Sequence, residues 1–212
     1  MSNSNDFQSK NQVSGRNWSN YYKAVANRPP RETLLTANRN FEIETPEAKS
    51  RIAIDLGCGE GRDTVELLRR GWQVIAIDGE KEAITRLLKR PHINTQLLQT
   101  RIAQFENIQL PESVNLVNAS FSLPFCAPES FPDLWNKICS CLRTGSRFSG
   151  HLFGSRDSWA NDSTMNHHTR SEVEALLRFF EVEFLREEEH LGKTALGKEK
   201  YWHIFHIVAR KK

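Results

Sequence analysis

The segment Arg51–Gly61, RIAIDLGCGEG, restricts what this 212-residue chain can fold into more than any other. Ile52, Ala53, Ile54 and Leu56 form a short apolar run that ends in glycines at alternate positions, Gly57, Gly59 and Gly61. A continuous apolar run bounded by turn residues is how a buried parallel strand reads. Glycine admits positive φ and leaves the backbone bare, so a ligand can lie against it. The segment predicts strand, tight loop and helix, with a nucleoside-type ligand on the loop.

The helix follows at once over Arg62–Arg70, with Val65, Leu67 and Leu68 on one flank and Gly71 as its stop. A second strand, Trp72–Ile77, ends in Asp78, 17 positions after Gly61. That is close to the offset at which dinucleotide folds place a ribose-binding carboxylate, which accepts hydrogen bonds from both hydroxyls of the diol. The nicotinamide fingerprint G-x-G-x-x-G needs glycine at position 62, where this chain has Arg62. The pattern is instead Asp55-x-Gly57-x-Gly59-x-Gly61.

With these residues the chain resembles the class I S-adenosylmethionine-dependent methyltransferases, whose first motif is D/E-x-G-x-G-x-G at the end of the first strand. The resemblance implies an α/β, Rossmann-like fold. Its seven-stranded, mostly parallel sheet has helices on both faces and ends in an antiparallel hairpin. It implies S-adenosyl-L-methionine as cofactor, held by Asp55, Gly57, Cys58, Gly59, Gly61, Asp78 and the adjoining Gly79. Many family members carry an acid after the third strand, where it takes the adenine amino group. With that strand read as Ile93–Gln99, the position falls on Thr100 or Arg101, neither acidic. The backbone of Ile102, the side chain of Gln104 or a contact to Phe105 is the expected replacement.

The fourth strand, Val114–Ala119, leads into Asn118-Ala119-Ser120-Phe121, where the resemblance places the reactive methyl group. The amino-methylating DNA enzymes carry N/D-P-P-Y/F at this point. The prolines are missing here, which argues against a base-amino acceptor. Ser120 and Phe121 are pocket candidates, or else an ordinary strand-to-helix loop.

Residues 1–15 are rich in Ser, Asn and Gln, and are expected to be a disordered arm. Residues 16–45 form a helical cap. In it Trp18, Tyr21, Tyr22 and Val25 recur at helical spacing, and Pro29-Pro30 separate a second helix, Arg31–Phe41. This piece is either packing or a lid, with Trp18 or Tyr22 near the sulfonium and Arg28 or Arg31 near the methionine carboxylate. Residues 46–212 form the main domain. Lys81–Lys89 and 128–142 read as helices and Ser146–Phe153 as the fifth strand. A polar loop, Gly154–Asp162, comes next. The capping box Thr169-Arg170-Ser171-Glu172 starts a helix, and Glu181–Glu188 and Tyr201–Ala209 read as the closing strands.

The net charge of +3 carries no basic block, which argues against nucleic acid as a partner. Hydrophobic (38%) and charged (26%) shares suit a soluble globular protein, and the length suits one domain, or one domain with an extra N-terminal piece. Cys58, Cys126, Cys139 and Cys141 have no framework spacing and read as reduced thiols of a cytoplasmic protein. No apolar run reaches spanning length, and the polar start does not read as a signal peptide. His151, His167 and His168 are candidates for a general base, with loop or surface histidine as the plain alternative. His203 and His206, three apart on a strand, face opposite sides, and no metal motif is evident.

The expected function is methyl transfer to a small-molecule acceptor such as a thiol or a metalloid oxyanion. In layout the chain is similar to the small bacterial methyltransferases related to the tellurite-resistance and thiopurine enzymes, on its size and its W-x-x-Y-Y segment. The alternatives are a protein or RNA methyltransferase, or a non-catalytic S-adenosylmethionine binder.

Overall fold

A computed structural model describes residues 17–45 and 50–212. The expected arm over residues 1–15 lies outside them. The elements in order are α1 (Trp18–Val25), α2 (Glu32–Glu44), β1 (Ile52–Leu56), α3 (Arg62–Arg69), β2 (Gln73–Asp78), α4 (Lys81–Leu88), β3 (Leu98–Ile102), β4 (Val114–Ala119), α5 (Phe131–Cys141), β5 (Leu142–Phe153), α6 (Arg170–Leu176), β6 (Phe180–Lys193) and β7 (Glu199–Lys211). They build one seven-stranded sheet in the order β3-β2-β1-β4-β5-β7-β6. The first five strands run parallel, while β7 pairs antiparallel with both β5 and β6. The expected fold class, closing hairpin included, is the observed one.

The strand order follows from burial. β1 alternates its side chains between two apolar layers. Ile54 and Leu56 pack with Leu134, Trp135 and Ile138 of α5. Ala53 faces the other way, toward Leu34, Ala37 and Phe41 of α2 and Leu67 of α3. A strand covered on both faces must be apolar on both, hence the unbroken run at 52–54. α2 is also held by a charge. Arg147 of β5, fully buried, grips Glu183 through two hydrogen bonds of 2.7 Å, pairs with Glu44 at 2.7 Å and stacks on the Phe41 ring at 4.4 Å.

β3 departs from expectation. It spans Leu98–Ile102 rather than Ile93–Gln99, because Asn94 caps a 3₁₀ turn over Thr95–Leu97 and the ladder with β2 begins only at Val74↔Leu98. The residues after its end are therefore Ala103–Glu106, not Thr100 and Arg101. The closing strands are longer than expected and form one ladder from Phe180↔Lys211 to Lys193↔Glu199. The four cysteines are free thiols. No helix among the described residues is long and apolar enough to cross a membrane.

Candidate active site

Parallel strands present their carboxyl ends to one edge, and at the point where the sheet order reverses a crevice opens. Here that edge is formed by β1, β2 and β4, and the crevice is a cavity of about 420 Å³. The loop after β1 supplies its floor. Gly57 has φ +71° and Gly59 φ +56°. A Cβ on Gly57 would sit 2.2 Å from the Ser122 Cβ, so the loop passes the β4 exit only as bare backbone. The N–H groups of Gly57 and Cys58 both donate to the carbonyl of Ile77, at 2.8 and 3.0 Å, knitting the loop to β2.

Two acids hold this floor. Asp78, at the end of β2, accepts the N–H of Gly59 and that of Glu80. Burial raises its pKa, and these two donors oppose the rise. Asp55 lies deeper. Its oxygens accept from Thr64 Oγ1 at 2.5 Å and Asn118 Nδ2 at 2.9 Å. Burial, reinforced by Asp63, raises it to about 7. Asn118 also donates to Asp63 at 3.1 Å, and Asp63 takes the N–H of Arg31 at 3.0 Å. One amide thus ties β1, β4, α3 and the start of α2 together. The Cys58 thiol is pushed well up by burial and then by Asp78, so it stays protonated.

Aromatic rings wall the far end. Trp18, Tyr21 and Tyr22 of α1 line the cavity together with Phe121 and Phe125. Trp18 meets the Phe125 ring edge-on at 5.1 Å. Burial, then Asp78, raises the Tyr22 hydroxyl. Phe121 has φ +56°, a conformation that costs a bulky residue energy and clusters at functional sites. Its ring lies between the Arg31 guanidinium, 4.3 Å from the ring centre, and the His151 ring at 4.0 Å. Burial lowers Arg31 to about 10.

Of the expected site residues, Trp18, Tyr22, Asp55, Gly57, Cys58, Gly59, Asp78, Gly79, Phe105, Ser120 and Phe121 all line this cavity. Gly61 is buried just behind the loop as the N-cap of α3. Five further expected residues do not line the cavity. Arg28 lines a neighbouring cleft instead, and Arg31 takes the place by the cavity. Ile102, 55% exposed at the edge of the sheet, is outside it. None of the three histidines lines it. His151 is the backing of Phe121, His168 packs tilted against Phe131 at 4.8 Å, and His167 lies 6.1 Å from the Phe153 ring.

Sequence reasoning missed Arg62, Asp63, Glu106, Phe125, Ser163 and Thr164. Glu106 was hidden by the misplaced end of β3. Ser163 and Thr164 come from just beyond the polar loop after β5, where length was the only signal.

The structure also brings Glu187, Glu189 and His203 within metal-ligand distance of one another. The position of a cation there is filled by Arg156, which pairs with both carboxylates. His203 Nδ1 accepts the Arg156 N–H at 3.1 Å, which puts its ring proton on Nε2, 2.9 Å from Glu187, where a metal would need a lone pair.

Residues 53–145 match a family model described as a methyltransferase domain. No curated protein sequence matches the chain. Among solved structures, TehB from Haemophilus influenzae is similar at a TM-score of 0.70 and 16% identity, over 92% of this chain and 67% of that one. The 1,6-didemethyltoxoflavin-N1-methyltransferase of Burkholderia thailandensis, with 1,6-didemethyltoxoflavin and S-adenosylhomocysteine bound, gives 0.62 and 18% over 92% and 84%. Magnesium protoporphyrin IX methyltransferase from Synechocystis PCC 6803, with bound SAM, gives 0.60 and 12% over 92% and 91%. Residues 53–145 are therefore similar to a methyltransferase domain, and the solved structures share the fold of the whole chain.

Proposed function

We propose that the protein transfers the methyl group of S-adenosyl-L-methionine to a small-molecule acceptor by in-line displacement. The observation that carries this reading is the cover. α1 places Trp18, Tyr21, Tyr22 and Val25 along the cavity, so a helix covers one side of it. A folded protein or an RNA chain needs a wide approach, and this cover favours an acceptor that fits within a few hundred Å³. We read residues 16–45 as the lid of this site. In this arrangement the ribose lies on Asp78, the adenine toward Gly79 and Phe105, and the methionine carboxylate by Arg31. The sulfonium lies among the rings of Trp18, Tyr22 and Phe121, whose faces attract cations.

The sulfonium carbon is already electrophilic, so the protein has to align the nucleophile behind the methyl group and exclude water. No histidine lines the cavity, and burial holds the Tyr22 and Cys58 protons in place, which leaves carboxylates such as Glu106 and Glu129 as the basic groups there. We favour a soft acceptor that makes little demand on a base, such as a thiol or a metalloid oxyanion. TehB, among the structural neighbours, agrees with the small-enzyme layout. A non-catalytic binder would need no space beyond the methyl group; in our reading Phe125, Ser163 and Thr164, which line the cavity, bound the acceptor's share of it.

The test is calorimetry with S-adenosylhomocysteine, followed by a methyl-transfer screen over thiols, metalloid oxyanions and small amines. The proposal predicts binding and turnover in the first two classes. Binding without turnover on any small acceptor, together with turnover on a protein or RNA substrate, would reject it.

A further inference from the structure

Beside the cofactor cavity lies a second cleft of about 260 Å³, lined by Arg28, Arg62 and Arg90 between Pro30 and Pro91. Three guanidiniums in one small cleft repel one another unless anions separate them, and the carboxylates nearby are already engaged. Glu66, which lines the cleft, accepts two hydrogen bonds of 2.9 Å from Arg69 and one of 2.6 Å from Arg70. Glu60 pairs with Arg90 at 3.0 Å. Asp63 is taken by Asn118 and the Arg31 N–H. No carboxylate among the described residues lies within ion-pair distance of Arg28 or Arg62. The Nε atoms of Arg62 and Arg90 are buried with no hydrogen-bond partner. Burial lowers the pKa of Arg62 against the opposing pull of Asp63 and Tyr21, and Arg28 adds to the lowering.

An N–H donor buried without a partner is costly, and an oxyanion in the cleft would satisfy both of these Nε–H groups. The cofactor has one carboxylate, and Arg31 stands in the main cavity to meet it. Arg28 and Arg90 lie outside that cavity. We propose that the Arg28–Arg62–Arg90 cleft is a second ligand site that takes an oxyanion, the phosphate or carboxylate group of a small molecule. The planar forks of arginine match such groups bidentately. Arg62 lines both spaces, so the anion and the cofactor are linked, each altering the affinity of the other by the same factor.

The test compares thermal unfolding of the full chain in sodium phosphate, sodium citrate and sodium chloride at matched ionic strength. A ligand that binds only the folded state raises the midpoint, saturably, here by roughly 2–4 °C. Excluded-ion stabilisation acts on every variant equally, so the reading is the difference between the native chain and Arg28→Gln. Arg28 is exposed, which keeps folding out of the comparison; Arg90→Gln is the second variant. A saturable rise in phosphate alone assigns a phosphate group, and one in citrate alone a carboxylate, each lost in both variants. No rise beyond chloride, or a rise that both variants keep, overturns the proposal.

Discussion

Asp78 Oδ2 accepts the backbone N–H of Gly59 at 2.8 Å, so the acid that ends β2 also fixes the loop that follows β1. Its other oxygen accepts the N–H of Glu80 at 2.9 Å. Each oxygen keeps a lone pair for a diol. Asp78→Ala is expected to weaken S-adenosylhomocysteine by about 1.5–3 kcal/mol, the range for hydrogen bonds to a charged group. Calorimetry checks it, and unchanged affinity removes Asp78 from the ribose role.

Gly57 and Gly71 separate two costs. Both have positive φ, +71° and +78°. A Cβ on Gly57 meets Ser122 at 2.2 Å, whereas one on Gly71 meets nothing within 4 Å. Gly71→Ala should lose about 1–2 kcal/mol to the left-handed backbone alone. Gly57→Ala should lose about 1–3 kcal/mol more from overpacking. Urea unfolding of the two variants reads the difference, and equal losses contradict it.

Asp157 and Lys200, both with fully buried side chains, form an ion pair. Asp157 also accepts the N–H groups of Trp159 and His203, and the Lys200 ammonium lies 3.9 Å from the Trp159 ring centre. The pair staples the loop after β5 to β7, and Ser163 and Thr164 reach the cavity from that loop's far end. Asp157→Asn removes the carboxylate beside a buried charge and should cost about 3–5 kcal/mol. Adding Lys200→Met should recover part of it, as urea midpoints will register.

Asp55 and His151 give the pH dependence opposite signs. Asp55 is raised to about 7 by burial, against about 3.9 when unfolded. Between those values the folded state holds a proton the unfolded state has lost, so its contribution falls as pH rises through the window. Burial, then His206 and Arg31, hold the His151 ring neutral far below its ordinary range. The unfolded ring charges below about pH 6.5, so the His151 contribution is lost as pH falls through and below that value. Asp55→Asn should lower stability at pH 5 relative to pH 7, by roughly 1 kcal/mol per pH unit, and His151→Phe should raise it. Urea unfolding at the two pH values decides both signs.

The glycine loop, Asp78 and the bounds of β4 were legible because each rests on a local cause. An apolar run, a glycine spacing and a strand-end acid act within a few residues of chain. β3 was not, since Asn94 diverts the chain into a 3₁₀ turn and only the ladder to β2 sets where the strand begins. The choice between Arg28 and Arg31 was equally hidden. They lie three residues apart, and the side that each faces depends on how α1 meets α2.

From the sequence alone came the strand–loop–helix unit, its bare-backbone floor and its acid, because backbone preference and burial pattern are properties of short segments; the parallel fold with its closing hairpin followed from the resemblance that this motif carries. Which side chains converge came from tertiary structure alone. The sheet order sets β4 and β5 side by side and turns His151 into the backing of Phe121 rather than a base, and the packing of the helices gathers Arg28 after α1, Arg62 at the start of α3 and Arg90 after α4 around one cleft. Those placements depend on contacts between residues distant in sequence, and no local pattern encodes them.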